Sequence, residues 1–157
     1  MNLLIIAVII FAVVLAVSYY FNPRRRAKAN LDPGRYPFTQ CRPLTEREQV
    51  LYWRLRKVMP EQMVLAQVGL SSFLRVEKGS NFNTWFNRIN RMSVDFLVCL
   101  PDATIAAAIE LDDSSHDRPD RIVADIKKDK ALESAGIKFL RYRDVPTEED
   151  LRKAFVG

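Results

Sequence analysis

Four side chains in the second half of the sequence have the types and spacing that metal-assisted phosphodiester chemistry requires: Asp95, Glu110, Asp112 and His116. Asp95 stands near the start of the apolar run Val94–Leu100 (VDFLVCL). Glu110 and Asp112 end the alternating run Thr104–Asp112 (TIAAAIELD), and two-residue spacing puts them on one face of a strand. If the two runs pair as a hairpin, three carboxylates converge. Carboxylates crowded together repel unless a cation or a proton intervenes. An oxygen-rich set suits Mg²⁺, Mn²⁺ or Ca²⁺ rather than zinc, and such an ion polarises a phosphodiester and acidifies an attacking water. His116, in the loop DSSHDR, has the chemistry of a general base or acid, or of a contact to a phosphate oxygen. Taken singly, each residue also reads as a solvated strand-end acid or an ordinary surface histidine. The combination carries the inference, because acids terminate an otherwise apolar alternation.

The elements that must position these groups are legible on either side. Thr45-Glu46-Arg47-Glu48 fits a capping box, and Leu51, Leu55 and Val58 continue it as a helical apolar stripe ending before Pro60. Met63–Leu70 alternates as a strand, with Val64, Ala66 and Val68 on one face. Residues 71–93 mix Phe73, Phe82, Trp85 and Phe86 with Arg75, Lys78, Arg88 and Arg91, and show no clean period. In Thr104–Asp112 the alternation places Ile105, Ala107, Ile109 and Leu111 together, opposite Ala106, Ala108, Glu110 and Asp112. Pro119 suits the first turn of a helix that stops at Gly136, Ile137–Tyr142 reads as a last strand, and Thr147 caps a terminal helix. A hairpin-like pair followed by a helical crossover predicts an α/β fold with a mixed sheet flanked by helices.

Upstream the character changes. Leu3–Phe21 is nineteen residues without a charge, enough for about 28 Å of helix, and Arg24-Arg25-Arg26 follows an aromatic edge at Tyr19–Phe21. A cleaved leader would carry its charge before the apolar run and a small-residue cleavage site after it. The expectation is therefore a single-pass anchor in the inner (cytoplasmic) membrane at residues 1–21, touching the bilayer through residues 3–21. A basic, proline-rich linker at 22–43 and a cytoplasmic domain at 44–157 follow. The formal charge of +5 belongs to this front end. Six of the 24 basic residues and one of the 19 acids lie in residues 1–43, which leaves 18 of each in residues 44–157. Two cysteines, Cys41 and Cys99, and a single histidine exclude a disulfide scaffold or a thiolate zinc site.

Asp95 in V-D-F, I-E-L-D-D-S-S-H from Ile109 to His116, the helix carrying Arg121, Asp125 and Lys128, and A-G-I-K-F-L-R from Ala135 to Arg141 resemble one group of nuclease-fold domains. It is a bacterial domain family of unknown function within the PD-(D/E)XK superfamily, similar to the very-short-patch-repair endonucleases. Gln67 in A-Q-V resembles that family's first-strand glutamine. The resemblance covers roughly residues 44–145 and implies a restriction-endonuclease-like core, with a helix, three antiparallel strands, a helix and a fourth strand. It implies that Asp95 and Glu110 hold the metal, Mg²⁺ or Mn²⁺. The position two residues after the glutamate is usually lysine in that superfamily; here it is Asp112. Lys127 or Lys128 then becomes the candidate for a migrated lysine, His116 matches the histidine of the repair-endonuclease-like branch, and Glu48 matches an auxiliary acid.

Two functions follow from this reading. One is metal-dependent hydrolysis of DNA, or less favourably RNA, with Asp95, Glu110 and Asp112 at the metal and His116 managing protons. Arg88, Arg91, Arg141 and Lys128 are then the candidate contacts to substrate. The other is a catalytically silent version of the fold, tethered at the membrane to bind nucleic acid or protein. A net charge of zero over residues 44–157 favours the second, because duplex affinity rests mainly on phosphate neutralisation. The basic, aromatic stretch 73–93 favours the first.

Overall fold

A computed structural model describes residues 3–20, 36–112 and 119–156, with side chains at 8–19, 36–112 and 123–155. The chain divides into two units, Met1–Gln40 and Cys41–Gly157.

The first unit holds helix α1, Leu3–Tyr20, a charge-free run in which only Ser18 is strongly polar. Its described side chains, Val8 to Tyr19, account for about 18 Å of helix. Among the described residues no helix is long and apolar enough to cross a membrane, so the expected span is not established by the fold.

The second unit is an α/β/α sandwich. Helix α2 (Glu46–Val58) opens on the expected capping box: Thr45 Oγ1 accepts from the Glu48 N–H and Glu48 Oε2 accepts from the Thr45 N–H. Then come β1 (Met63–Gly69), the short α3 (Leu70–Phe73), α4 (Phe82–Ile89), β2 (Ser93–Cys99), β3 (Ile105–Leu111), α5 (Pro119–Ser134), β4 (Phe139–Tyr142) and α6 (Glu148–Val156). The segment without a clean period, 71–93, thus contributes two helical pieces, the second capped by Asn81 Oδ1 on the Thr84 N–H. The strand order is β1-β2-β3-β4, antiparallel except for the last pair, which is parallel because α5 crosses over between its strands. Gly136 takes φ +67° just past the end of α5, a conformation that glycine adopts without the cost of a Cβ.

Each face of the sheet buries its own cluster. Leu51 and Leu55 of α2 and Leu151 of α6 pack on Phe96, Val98, Ile109 and Leu111. Leu132 of α5 and Leu70 of α3 pack on Val94, Leu97, Cys99 and Ala108. Burying each such leucine contributes about 1.5–3 kcal/mol.

Simple alternation fails at three places. Opposite Cys99 the β3 register slips by one, so Ile105 packs with the α5 side and Ala106 with the α2 side. The expected single face for Ile105, Ala107, Ile109 and Leu111 is therefore wrong at its start, because a bulge inserts one residue into the strand. Val64 lies on the α2 side but Val68 on the α5 side, and Phe96 and Val94 divide likewise. Between them lie Gln67, at φ +52°, and Asp95, a position skipped by the otherwise regular β1–β2 register. Both strands change face where the acidic site begins.

Candidate functional site

The site starts from α2. Capping uses one oxygen of Glu48, and the other accepts from Gln67 Nε2 at 2.8 Å. The same amide reaches Asp95 Oδ1 at 3.4 Å. The left-handed backbone at Gln67 aims its side chain between these two carboxylates. Glu48 therefore does both things open to it: it closes the helix end and supports the site.

Asp95 Oδ2 accepts from the Leu111 N–H at 2.8 Å, which ties the β2 acid to the end of β3. Asp95 and Glu110 come one step beyond the last registered pair, Phe96 and Ile109. Glu110 meets Lys128 of α5, Nζ to Oε1 2.5 Å, with the side chains only 13% and 11% exposed. Its second oxygen, Oε2, is buried and has no hydrogen-bond partner among the described residues. Burial raises the pKa of Glu110 from its ordinary value against the pull of Lys128, and the charge of Asp95 adds to the rise. Burial also raises the pKa of Asp95; the Leu111 N–H opposes this, Glu48 reinforces it, and Lys128 opposes it. Two carboxylates and one ammonium share a partly buried site.

Asp112 has a different neighbour. Its Oδ2 lies 3.6 Å from Arg141 Nε, and Arg141 also reaches Asp129 at 3.1 Å and Asp125 at 3.8 Å. Arg47 of α2 donates to the carbonyls of Asp112 and Arg143, fixing the backbone where β3 ends. Asp125 and Asp129, four apart on α5, are partners of Arg141 that the expected site does not include. Their helical spacing and the single guanidinium on β4 were the available signal. Arg121, at i,i+4 spacing from Asp125, has its side chain outside the described residues.

Of the residues proposed for the site, Asp95, Glu110 and Lys128 are brought together, with Gln67 and Glu48 behind them. Asp112 and Arg141 form the adjoining ion cluster, so the guanidinium expected to meet phosphate already faces three carboxylates. Arg88 lies elsewhere, stacked 4.4 Å above the Trp85 ring, and Arg91 is exposed just before β2. His116 lies outside the described residues.

Among the described residues no three His, Cys, Asp or Glu side chains are grouped so as to hold a metal ion. Asp112 is drawn to Arg141 and leaves a two-carboxylate set. That pair fits a divalent cation in its chemistry: hard oxygen donors, one of them a buried carboxylate oxygen that lacks a partner.

The fold and this cluster define an α/β domain with a buried acid–lysine site at one end of a mixed sheet. Residues 42–156 match the family model described as "Protein of unknown function (DUF2726)", and the chain belongs to that family. No curated protein and no solved structure matches it.

Proposed function

We propose that the domain is a metal-dependent nuclease of the PD-(D/E)XK type that hydrolyses phosphodiesters of DNA, or less favourably RNA. The observation that carries the reading is the unpartnered, buried Glu110 Oε2 beside Asp95 and Lys128. A buried carboxylate oxygen without a hydrogen bond is costly, and a cation or proton relieves it. Asp95 and Glu110 would hold Mg²⁺ or Mn²⁺, which when bound polarises the scissile phosphate and acidifies a water. Gln67 and the Leu111 N–H orient Asp95, and Glu48 orients Gln67. Lys128 supplies the positive charge that the superfamily's usual lysine would bring, from the helix instead of the strand. Asp112 tunes that charge through Arg141, and His116 manages protons.

The Leu3–Tyr20 helix and the arginines after it support an anchor in the inner membrane with the domain on the cytoplasmic side. The full chain is expected to sediment with membranes and resist carbonate extraction; recovery in the soluble fraction rejects the anchor.

The test of chemistry is cleavage of single- and double-stranded DNA by the detergent-purified full chain, with Mg²⁺ or Mn²⁺ and with chelator. Metal-dependent cleavage that Glu110→Gln removes, with circular dichroism unchanged, supports the enzyme. Cleavage that survives Glu110→Gln belongs to another site. The silent tethered module is favoured by one observation, that Lys128 already neutralises Glu110 while Asp112 is held by Arg141. It predicts no cleavage in any metal from a folded protein.

A further inference from the structure

Away from the acid–lysine site, a cavity of about 1040 Å³ lies between α5 on one side and α4 with the 73–80 segment on the other. That volume is at the upper end of ligand pockets, about 300–1,000 Å³. Arg75, Arg88, Lys127 and Lys130 line it against one acid, Glu77, and the rest of the lining is apolar apart from two serines. None of these four cations has a carboxylate partner among the described residues. Trp85, also on the wall, is 49% exposed although the Arg88 guanidinium lies over its ring.

We propose that this cavity seats an unpaired nucleotide of a single-stranded nucleic acid, its base stacked on Trp85 and its phosphates drawn by Arg75, Arg88, Lys127 and Lys130. Positive charge alone would suit any polyanion. The exposed indole selects one that carries a flat aromatic group, and sequence-tolerant single-strand sites combine these two features. Cations spread along two walls exceed the charge of one phosphate and suit successive phosphates of a strand. A duplex keeps its base faces stacked along its length and exposes only the paired faces at its two ends, so it offers Trp85 no unpaired base. The inference concerns binding and goes beyond the cleavage reading.

It is tested on the full chain in detergent carrying Trp53→Phe, so that Trp85 is the sole fluorophore of its kind, with chelator present so that cleavage plays no part. An oligothymidylate is expected to quench Trp85 saturably, with thymidine monophosphate much weaker and a blunt duplex inert. Anisotropy of a labelled oligothymidylate should show Trp85→Ala weakening binding by roughly 5- to 150-fold while Trp85→Phe retains it. Lys127→Glu/Lys130→Glu should remove at least roughly 1.4 from the slope of log affinity against log salt. Absence of saturable quenching overturns the proposal, as does affinity unaffected by Trp85→Ala or by the double charge reversal. Equal binding of an acidic peptide would also overturn it, by showing a site that reads charge alone.

Discussion

Lys127 and Lys128 are neighbours in α5, yet one lines an open basic cavity and the other is locked onto a buried carboxylate. Successive residues of a helix point about 100° apart, so one turn of α5 serves two environments. The stripe Lys127, Lys130, Ala131 and Ser134 faces the cavity. Asp125, Lys128 and Asp129 carry the ion pairs that meet β3 and β4. In the first region four cations outnumber a single acid, Glu77, and none of them is ion-paired among the described residues. In the second every described cation is already matched, and what is left over is an acidic oxygen, Glu110 Oε2. An anionic ligand is accordingly proposed for the cavity, and a cation for the acid–lysine site.

The largest expected difference between the two regions is in stability. Lys128→Ala strands a buried carboxylate and should cost about 3–5 kcal/mol in denaturant unfolding near neutral pH. Lys127→Ala, one residue away, should change stability by no more than about 0.5 kcal/mol. Replacing the whole pair, Glu110→Leu with Lys128→Met, should recover most of the Lys128→Ala loss, because no buried charge is then left unpaired. Similar costs for Lys127→Ala and Lys128→Ala would dissolve the contrast.

Acidity sharpens the same comparison. The folded-state pKa values of Asp95 and Glu110 are both raised, so the folded protein holds protons that the unfolded chain has released. Between the ordinary carboxylate range and those raised values, unfolding free energy should fall as pH rises, and then level off. Added Mg²⁺ or Mn²⁺ should offset the loss at neutral pH if the pair takes a cation, since a ligand of the native state stabilises it. Neutralising cavity residues, as in Arg88→Gln, should leave this pH profile unmoved. A profile unchanged in Glu110→Gln would assign the protons to other groups.

The smallest effect belongs to the support behind the site. Thr45→Ala removes the hydroxyl of the capping box and should cost about 1 kcal/mol. It should also loosen Glu48, and through it Gln67, so metal affinity is expected to drop modestly while nucleotide binding in the cavity stays the same. Isothermal titration with Mn²⁺ beside oligothymidylate anisotropy separates the two.

Much of this was legible in local pattern. The capping box at Thr45, the stop at Gly136 and the acids closing β3 are short-range signals, written in a few consecutive residues and in side-chain chemistry. The convergence of Asp95 and Glu110 follows from pairing the two strand runs, whereas a helix lysine enters only through the family resemblance, and Lys127 cannot be told from Lys128 without the phase of α5 against the sheet. The bulge at Ala106 and the change of face at Gln67 and Asp95 were not legible, because alternation assumes a regular pleat. Whether Asp112 joins the acids or turns to Arg141 depends on where β4 lands.

The sequence by itself determined the order and type of most elements, the charge-free run of Leu3–Phe21 and the inventory of acids, because these follow from period, caps and composition. Only the tertiary structure decided which charges neutralise one another. Arg141 is drawn among Asp112, Asp125 and Asp129 by the parallel docking of β4 on β3, and Lys128 is carried to Glu110 by the crossover of α5. Ion pairing acts over a few ångströms, and distances of that order between residues far apart in the chain exist only once the sheet has closed.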